Sequence, residues 1–542
     1  MTLHLDWTLP ASSAAHARHR PAHVAIRCQD RTMTYAELQQ CSDRTARALV
    51  ATGIRPGSRV AYLGRESEYY YSTVLACAKA GIVLVPVNWR LTVGEVDHIV
   101  RDSGARLIFV EREFRPLVDR VHRDLPEACA VVELDADDPT DPGAGLRRWR
   151  SAAADPDAAP DPRADAASAH RAGPDDPVVQ IYTSGTTGRP KGVVLAHRSF
   201  FTLPAAMRAA GVDWIDWRPD DVSLISLPGL GIAGIGWFMH GFNAGATNVV
   251  MRMFVPQEAV RLIREHGVTT TFAAPAMLAM MLAEREAEPA AFASMRKVAY
   301  GAAPISEGLL RQCLEVFGCE FAQIYASTET GTVAVCLPPQ AHVPGSPLLR
   351  SAGRACPGTE VKVIDRDGTV LPPGQIGQVC IRTPARMLGY WNLPEATAGT
   401  LVGEWLHMGD AGYLDEDGYL FLRDRINDTI IVAGQNIYPA EVETALADHA
   451  AVADVAVVGV AHPQWGEAVH ACVVLRPGRA ATPRELLTFL RGRLADYKIP
   501  VEYHVVTDLP RNPSGKILRR LVRERLQSAT TPDASHLEGS LT

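Results

Sequence analysis

Lysine is nearly absent from this chain of 542 residues: six lysines stand against 48 arginines. Where basic residues are almost always arginine, a lysine in a glycine-rich loop is informative. A compact ammonium can touch one phosphate or carboxylate oxygen where a planar guanidinium fork is bulkier. Lys191 and Lys516 both occupy such loops. Charge of either sign is missing between Asp221 and Arg252. A membrane span needs ~20 predominantly apolar residues, and this run carries one proline and six glycines between Pro228 and Gly245. It therefore reads as buried core or the wall of an apolar pocket. The ten cysteines are scattered, with no C-x-x-C pair and no Cys/His cluster of zinc spacing. That argues against a disulfide or zinc framework and for free thiols in a reducing cytoplasm. A net charge of −7 removes any compositional argument for nucleic acid or an anionic membrane. Met1–Arg20 lacks an apolar core segment, so no signal peptide is expected.

What is present is a layered α/β rhythm. A hydrophobic fraction of 47% is that of a globular protein. The length exceeds what one core of ~250–300 residues fills, so more than one domain is expected. Residues 1–130 alternate helical patterns with short apolar strands at His23–Arg27, Thr32–Thr34, Val60–Leu63, Val83–Val87 and Leu107–Phe109. Residues 151–176 are rich in Ala, Asp and Pro and read as an exposed, mobile connection. The pattern resumes over 261–325, and 359–425 is dense in strand and turn signals, a β-rich subdomain. From about Asn427 to Arg525 a second unit has its own strands (Val455–Val460, His470–Val474, Tyr503–Val506) and helices (Pro439–Leu446, Pro483–Leu494, Ile517–Leu526). The expected division is 1–425, 426–526 and a disordered tail over 527–542.

The most informative stretch is Thr183-Ser184-Gly185-Thr186-Thr187-Gly188-Arg189-Pro190-Lys191-Gly192, which follows the strand-like run Val178–Tyr182. Glycines let backbone N–H groups converge on phosphate oxygens, hydroxyls add donors, and Lys191 adds a point charge. It is not a Walker loop: Lys191 does not follow a glycine, and no Ser or Thr follows it. Pro190 favours an extended exit over a helix start. Most such stretches, taken alone, are Ser/Thr/Gly surface turns; the motifs that accompany this one set it apart.

Further motifs follow at wide intervals: Gly301-Ala302-Ala303-Pro304, Tyr325-Ala326-Ser327-Thr328-Glu329, Trp405-Leu406-His407-Met408-Gly409-Asp410, Arg423-Asp424-Arg425 with Asp428, and Pro510–Lys516. In this order the set resembles the adenylate-forming superfamily of acyl- and aryl-CoA synthetases, nonribosomal adenylation domains and luciferases, over roughly residues 20–525. Pro86–Leu91 (PVNWRL) and Tyr438–Glu443 (YPAEVE) make it most similar to bacterial acyl-CoA ligases of the FadD type.

The resemblance implies a large N-terminal α/β domain and a small mobile α+β C-terminal domain. It implies that a carboxylate attacks the α-phosphate of ATP, releasing pyrophosphate, and that a thiol, usually that of CoA, then displaces AMP. Thr183, Ser184, Gly185, Thr186, Thr187, Gly188 and Lys191 should hold the β- and γ-phosphates. Gly301, Ala302, Ala303 and Pro304 should lie along the adenine, with Tyr325 stacking on it. Thr328 should bond the α-phosphate, and Glu329 with Thr183 should hold Mg²⁺. Asp410 should take the ribose hydroxyls with Arg425 nearby, and Lys516 should bridge carboxylate and α-phosphate. Asp428 should be the hinge of a domain rotation.

Four positions depart from the family pattern. Gly231 follows Leu227-Pro228-Gly229-Leu230 where a histidine or aromatic is usual. Ala326, Met408 and Asn427 replace the usual glycine, threonine and lysine. The acid pocket is expected among 227–245, 301–303 and 325–332, with Gly231, Trp237, His240 and Ala326 in its wall. An apolar lining favours an aryl, cinnamyl-like or fatty acid over an amino acid. His240 reads either as orienting a polar substituent or as a satisfied structural histidine. The acceptor is expected to be CoA, with a carrier-protein thiol, an amine or nitrite activation as alternatives. A non-catalytic nucleotide-binding scaffold is the competing class. No nucleic-acid partner and no integral membrane segment are expected, and homodimerisation is left open.

Overall fold

The computed structural model describes residues 7–122, 129–135, 143–153, 170–183, 189–212, 214–303, 305–425, 428–432, 435–462, 464–491, 493–511 and 517–530. The architecture is mixed α/β, with a large N-terminal and a smaller C-terminal part, as the sequence implied. Two compact units emerge. One comprises Met1–Lys362, Cys380–Met408 and Asp417–Leu420; the other comprises Val363–Val379, Gly409–Glu416 and Phe421–Thr542.

Two sheets organise the first unit. A nine-stranded sheet runs Arg354–Ala355, Val335–Leu337, Glu320–Tyr325, Lys297–Gly301, Thr270–Ala273, Val222–Ile225, Thr247–Val250, Val24–Cys28, Arg31–Thr34. Its six central strands are parallel and its edges antiparallel. A seven-stranded sheet runs Gly389–Tyr390, Lys191–Ala196, Pro177–Thr183, Val83–Val87, Arg59–Leu63, Leu107–Val110, Ala130–Glu133. Parallel strands buried on both faces need near-continuous apolar sequence, and Val83–Val87 and Leu107–Val110 are buried at every position.

Strand periodicity sorts these residues between cores. Val60, Tyr62 and Leu84 enter the largest buried cluster, which draws on both sheets and on helices Tyr35–Ala51, Glu68–Lys79 and Ile232–Ala244. Ala61, Leu63, Val85 and Val87 enter another cluster, beneath helices Val93–Ser103 and Arg115–His122. The uncharged run becomes strand Val222–Ile225, helix Ile232–Ala244 and strand Thr247–Val250. From Gly234 to Phe242 every residue of that helix is buried. The run is core, and among the described residues no helix is long and apolar enough to cross a membrane.

In the second unit, strands Gln435–Ile437, Ile430–Val432, Gly466–Leu475 and Val452–His462 are neighbours in that order, and Glu502–Val505 adds in parallel to Gly466–Leu475. Val455 and Val457 pack with helices Pro439–Ala447 and Pro483–Leu490, whereas Ala456 and Val458 pack with Val522 of helix Arg519–Thr530. The helix expected to reach Leu494 stops at Leu490, where Arg491 turns extended with φ −59° and ψ 131°. Thr482 and Glu485 form a reciprocal capping box at its start.

Candidate active site

The phosphate-loop segment is carried by an antiparallel hairpin. Strands Pro177–Thr183 and Lys191–Ala196 pair so that Thr183 faces Lys191 at the hairpin's end. Lys191 opens a strand, as Pro190 implied, and no helix starts there. Ser184, Gly185, Thr186, Thr187 and Gly188 lie outside the described residues, as do Pro304 and Lys516.

Strand Gly389–Tyr390 adds to the hairpin's open edge, with Tyr390 opposite Val193. The Lys191 ammonium lies 5.1 Å from the Tyr390 ring centre. The Tyr390 hydroxyl donates to Glu329 Oε1 at 2.8 Å, and the Met387 N–H donates to the Glu329 carbonyl at 2.8 Å. Lys191, Tyr390 and Glu329 thus form one contiguous group from three separate segments. No sequence spacing singled out Tyr390; the only local signal is an aromatic pair, Tyr390-Trp391, after a glycine. Trp391 secures the edge strand. Its N–H donates to the Gly192 carbonyl at 2.8 Å, its indole donates to the Asp102 carbonyl at 2.9 Å, and the Arg59 guanidinium lies 3.3 Å over its ring.

The Thr328–Glu329 dipeptide sits in a locked turn. The Thr330 hydroxyl accepts from the Ser327 N–H at 3.0 Å and donates to the Ser327 carbonyl at 2.9 Å. Gly331 follows with φ +87°, where an added Cβ would lie 2.6 Å from the Ala385 carbonyl oxygen. Thr328 is buried, while Glu329 and Tyr325 are partly exposed. Tyr325 ends strand Glu320–Tyr325, next to strand Lys297–Gly301. Parallel strands therefore deliver the Tyr325 and Gly301 motifs to one sheet end, which is where open α/β sheets bind ligands. Gly301 pairs with Ile324, and a Cβ there would approach the Ile324 carbonyl oxygen to 2.5 Å. Ala302 then adopts φ +67° without being glycine. Strain of that kind, of order 1 kcal/mol, concentrates at functional sites.

The expected acid-pocket residues converge on helix Ile232–Ala244. Gly231 is its N-cap. Trp237 lies between Trp217 and Phe272, with ring centres 4.8 and 5.6 Å away. His240 Nε2 is 3.1 Å from the Thr332 hydroxyl, and burial lowers its pKa to about 4. The ring is therefore neutral at physiological pH, and it has a structural partner. Ala326 packs against the main core. Phe238 stacks on Tyr71 with ring centres 3.7 Å apart and belongs to the buried core. Tyr71 in turn donates to the buried carboxyl of Glu66 at 2.7 Å. Burial raises the Glu66 pKa to about 8, opposed by the hydrogen bonds from Tyr71 and from the Gly229 backbone. The loop Leu227–Gly231 is thus tied to a buried carboxyl that sequence reading did not single out.

Asp410 lies on strand Trp405–Leu414, in the stretch belonging to the second unit. Arg425 ends strand Leu420–Arg425, and its side chain lies outside the described set. Asp428, the expected hinge, is within the second unit, 3.5 Å from Arg519 Nη1; Arg519 also bonds Glu443 at 2.6 Å.

The model for "AMP-binding enzyme" matches residues 13–391, and that for "AMP-binding enzyme C-terminal domain" matches 441–516. The chain belongs to the AMP-binding enzyme family. It is 52% identical over 518 residues to the fatty acid–[acyl-carrier-protein] ligase ScoC of Streptomyces coeruleorubidus, covering 96% of each chain. It is 36% identical to a feruloyl-CoA synthase of Amycolatopsis, covering 94% of this chain and 97% of that one. Among solved structures, ATP-bound MatB from Rhodopseudomonas palustris superposes with a TM-score of 0.84 at 27% identity, covering 97% of this chain and all of that one. The adenylate-forming resemblance read from the motifs is therefore established.

Proposed function

We propose that the protein activates a fatty acid with ATP to an acyl-adenylate and transfers the acyl group to the phosphopantetheine thiol of a carrier protein. The observation that carries this reading is the 52% identity, across 96% of both chains, to a fatty acid–[acyl-carrier-protein] ligase. CoA, the acceptor placed first by motif reading, is the second reading, favoured by the 36% identity to a feruloyl-CoA synthase.

In the first step a carboxylate oxygen bonds the α-phosphorus and the bond to pyrophosphate breaks. In the second the thiol sulfur bonds the acyl carbon, AMP leaves, and the thiol proton passes to solvent. Activation is needed because a carboxylate oxygen is a poor leaving group and AMP a good one.

Lys191, braced on Tyr390, supplies positive charge at the end of the hairpin for a polyphosphate. The Gly301 and Tyr325 motifs end neighbouring strands, and Tyr325 offers an aromatic face for a purine. Glu329 and Thr183 offer oxygen donors of the kind Mg²⁺ takes, and Tyr390 orients that carboxylate, so the donor set fits the ion. Mg²⁺, when bound there, neutralises phosphate charge. Asp410 takes the ribose hydroxyls and Lys516 the developing charge at the α-phosphate. The rings of Trp217, Trp237 and Phe272 and a neutral His240 suit an apolar acyl chain and bring no carboxylate to pair with an ammonium group.

The test is pyrophosphate release from Mg-ATP with a series of fatty and cinnamyl acids, with and without CoA or a holo carrier protein, and products identified by mass. Acyl-carrier protein from a fatty acid supports the proposal. Acyl-CoA formed at a higher kcat/KM than acyl-carrier protein makes CoA the acceptor. In Lys516→Ala, adenylate formation should fall at least a hundredfold with ATP binding kept; unchanged adenylation would overturn the role given to Lys516.

A further inference from the structure

Strand pairing in the second unit assembles a group of metal-ligating side chains that no sequence spacing reveals. Gly466–Leu475 and Glu502–Val505 run parallel, with His470 opposite Glu502 and Cys472 opposite His504. Residues two apart on a strand share a face, so His470, Glu502 and His504 project from the same side. His470 Nδ1 lies 3.1 Å from His504 Nε2. Glu502 Oε2 lies 3.8 Å from His470 Nδ1 and 3.5 Å from His504 Nε2.

These three separations have a common meaning. Ligand atoms bound tetrahedrally at ~2.0–2.1 Å are about 3.3–3.4 Å apart, the edge of the tetrahedron that such bonds define. The observed edges scatter around that value, so closure on an ion needs displacements of only tenths of an ångström. The cluster is also graded in exposure. The His470 side chain is 12% exposed, His504 31% and Glu502 60%. Two imidazoles are therefore partly sheltered, whereas the carboxylate meets solvent.

We propose that His470 Nδ1, His504 Nε2 and the Glu502 carboxylate bind one divalent transition-metal ion of the zinc class. Two imidazoles and one carboxylate suit Zn²⁺ and select against Mg²⁺ and Ca²⁺, which take all-oxygen sets. Its ligands are other residues than the oxygen donors Glu329 and Thr183. Its physical consequence is a cross-strand staple. Glu502–Val505 is a four-residue strand on the edge of its sheet, and the chain leads from it to Leu509, Arg511 and the segment that carries Lys516. Binding to the folded arrangement alone stabilises it by mass action. Without metal the same atoms make a single imidazole–imidazole hydrogen bond, which is the competing account of the 3.1 Å contact.

The experiment is equilibrium dialysis of the chelator-treated full-length protein against ZnCl₂ alone, with no nucleotide, followed by metal analysis. Co²⁺ replaces Zn²⁺ in a parallel sample to report tetrahedral coordination by its visible absorption. The wild type should take up one zinc per chain in a saturable manner. The variants Glu502→Gln and His504→Gln should each bind at least tenfold more weakly, with unchanged melting temperature in the metal-free state. Glu502 is exposed, so its variant keeps the test sound if His504→Gln disturbs the sheet. Absence of a saturable site, or zinc uptake equal in wild type and both variants, overturns the proposal.

Discussion

Replacing Glu66 with glutamine should remove one pH-dependent component of stability. Glu66 is buried, and burial raises its pKa from 4.5 to about 8. Between those values the folded protein retains a proton that the unfolded chain has released, so stability is lost as pH rises. Each pH unit carries about 1.4 kcal/mol. Across the whole window the loss therefore has a ceiling of about 5 kcal/mol, complete near pH 8. Glutamine keeps an oxygen to accept from Tyr71 and the Gly229 N–H and never ionises. Other groups titrate in the same range. His16, His197, His240 and His342 have pKa values lowered to about 4 by burial. They act in the opposite sense, adding stability as pH rises from about 4 towards their unfolded value of about 6.5. These histidines are common to both proteins and cancel in the difference. The assay is melting temperature against pH for wild type and Glu66→Gln. The two should nearly coincide at pH 5, and the variant should melt about 5 °C higher at pH 8, given an unfolding entropy of about 2 cal/mol/K per residue. A gap that stays constant from pH 5 to 8 would refute the assignment of that proton to Glu66.

Three other outcomes test different parts of the molecule. Tyr390→Phe removes the hydroxyl that holds Glu329 at 2.8 Å; a hydrogen bond to a charged group is worth about 1.5 kcal/mol or more, so pyrophosphate release should slow about tenfold while the melting temperature holds. Gly301→Val drives a side chain to within 2.5 Å of a backbone carbonyl that cannot yield; urea unfolding should show a loss of about 2 kcal/mol or more. Arg296 makes two bonds of 2.6 and 2.8 Å to Asp221, which is 2% exposed. Arg296→Ala should cost about 3 kcal/mol by leaving that carboxylate short of positive charge, and Arg296→Ala with Asp221→Asn should recover part of the loss.

Local patterning made much of the fold legible. Val83–Val87 was read to the residue, and Leu107–Phe109 needed only Val110. A strand buried on both faces must be apolar throughout, and nothing else in those windows is. Long-range pairing was not legible. The strand Gly389–Tyr390 joins the phosphate-loop hairpin from about 200 residues away, and its two residues carry no periodicity. Tyr390, the residue that links Lys191 to Glu329, was missed for that reason. Likewise nothing in the sequence marked Glu66, which is met by the Tyr71 hydroxyl and by the Gly229 backbone from a loop about 160 residues away.

By itself the sequence determined the family, the order of the motifs and the apolar character of the 222–251 run. Those properties reside in residue identity and in short-range periods of two and 3.6, which need no knowledge of distant partners. Tertiary structure alone decided which side chains meet. It set Tyr390 between Lys191 and Glu329, kept His240 neutral by burial, raised the pKa of Glu66, and brought His470 to Glu502 and His504. The physical reason is that side-chain contact, desolvation and ligand geometry depend on the register of strands far apart in the chain. Register is set by the packing of the whole core and not by any one segment.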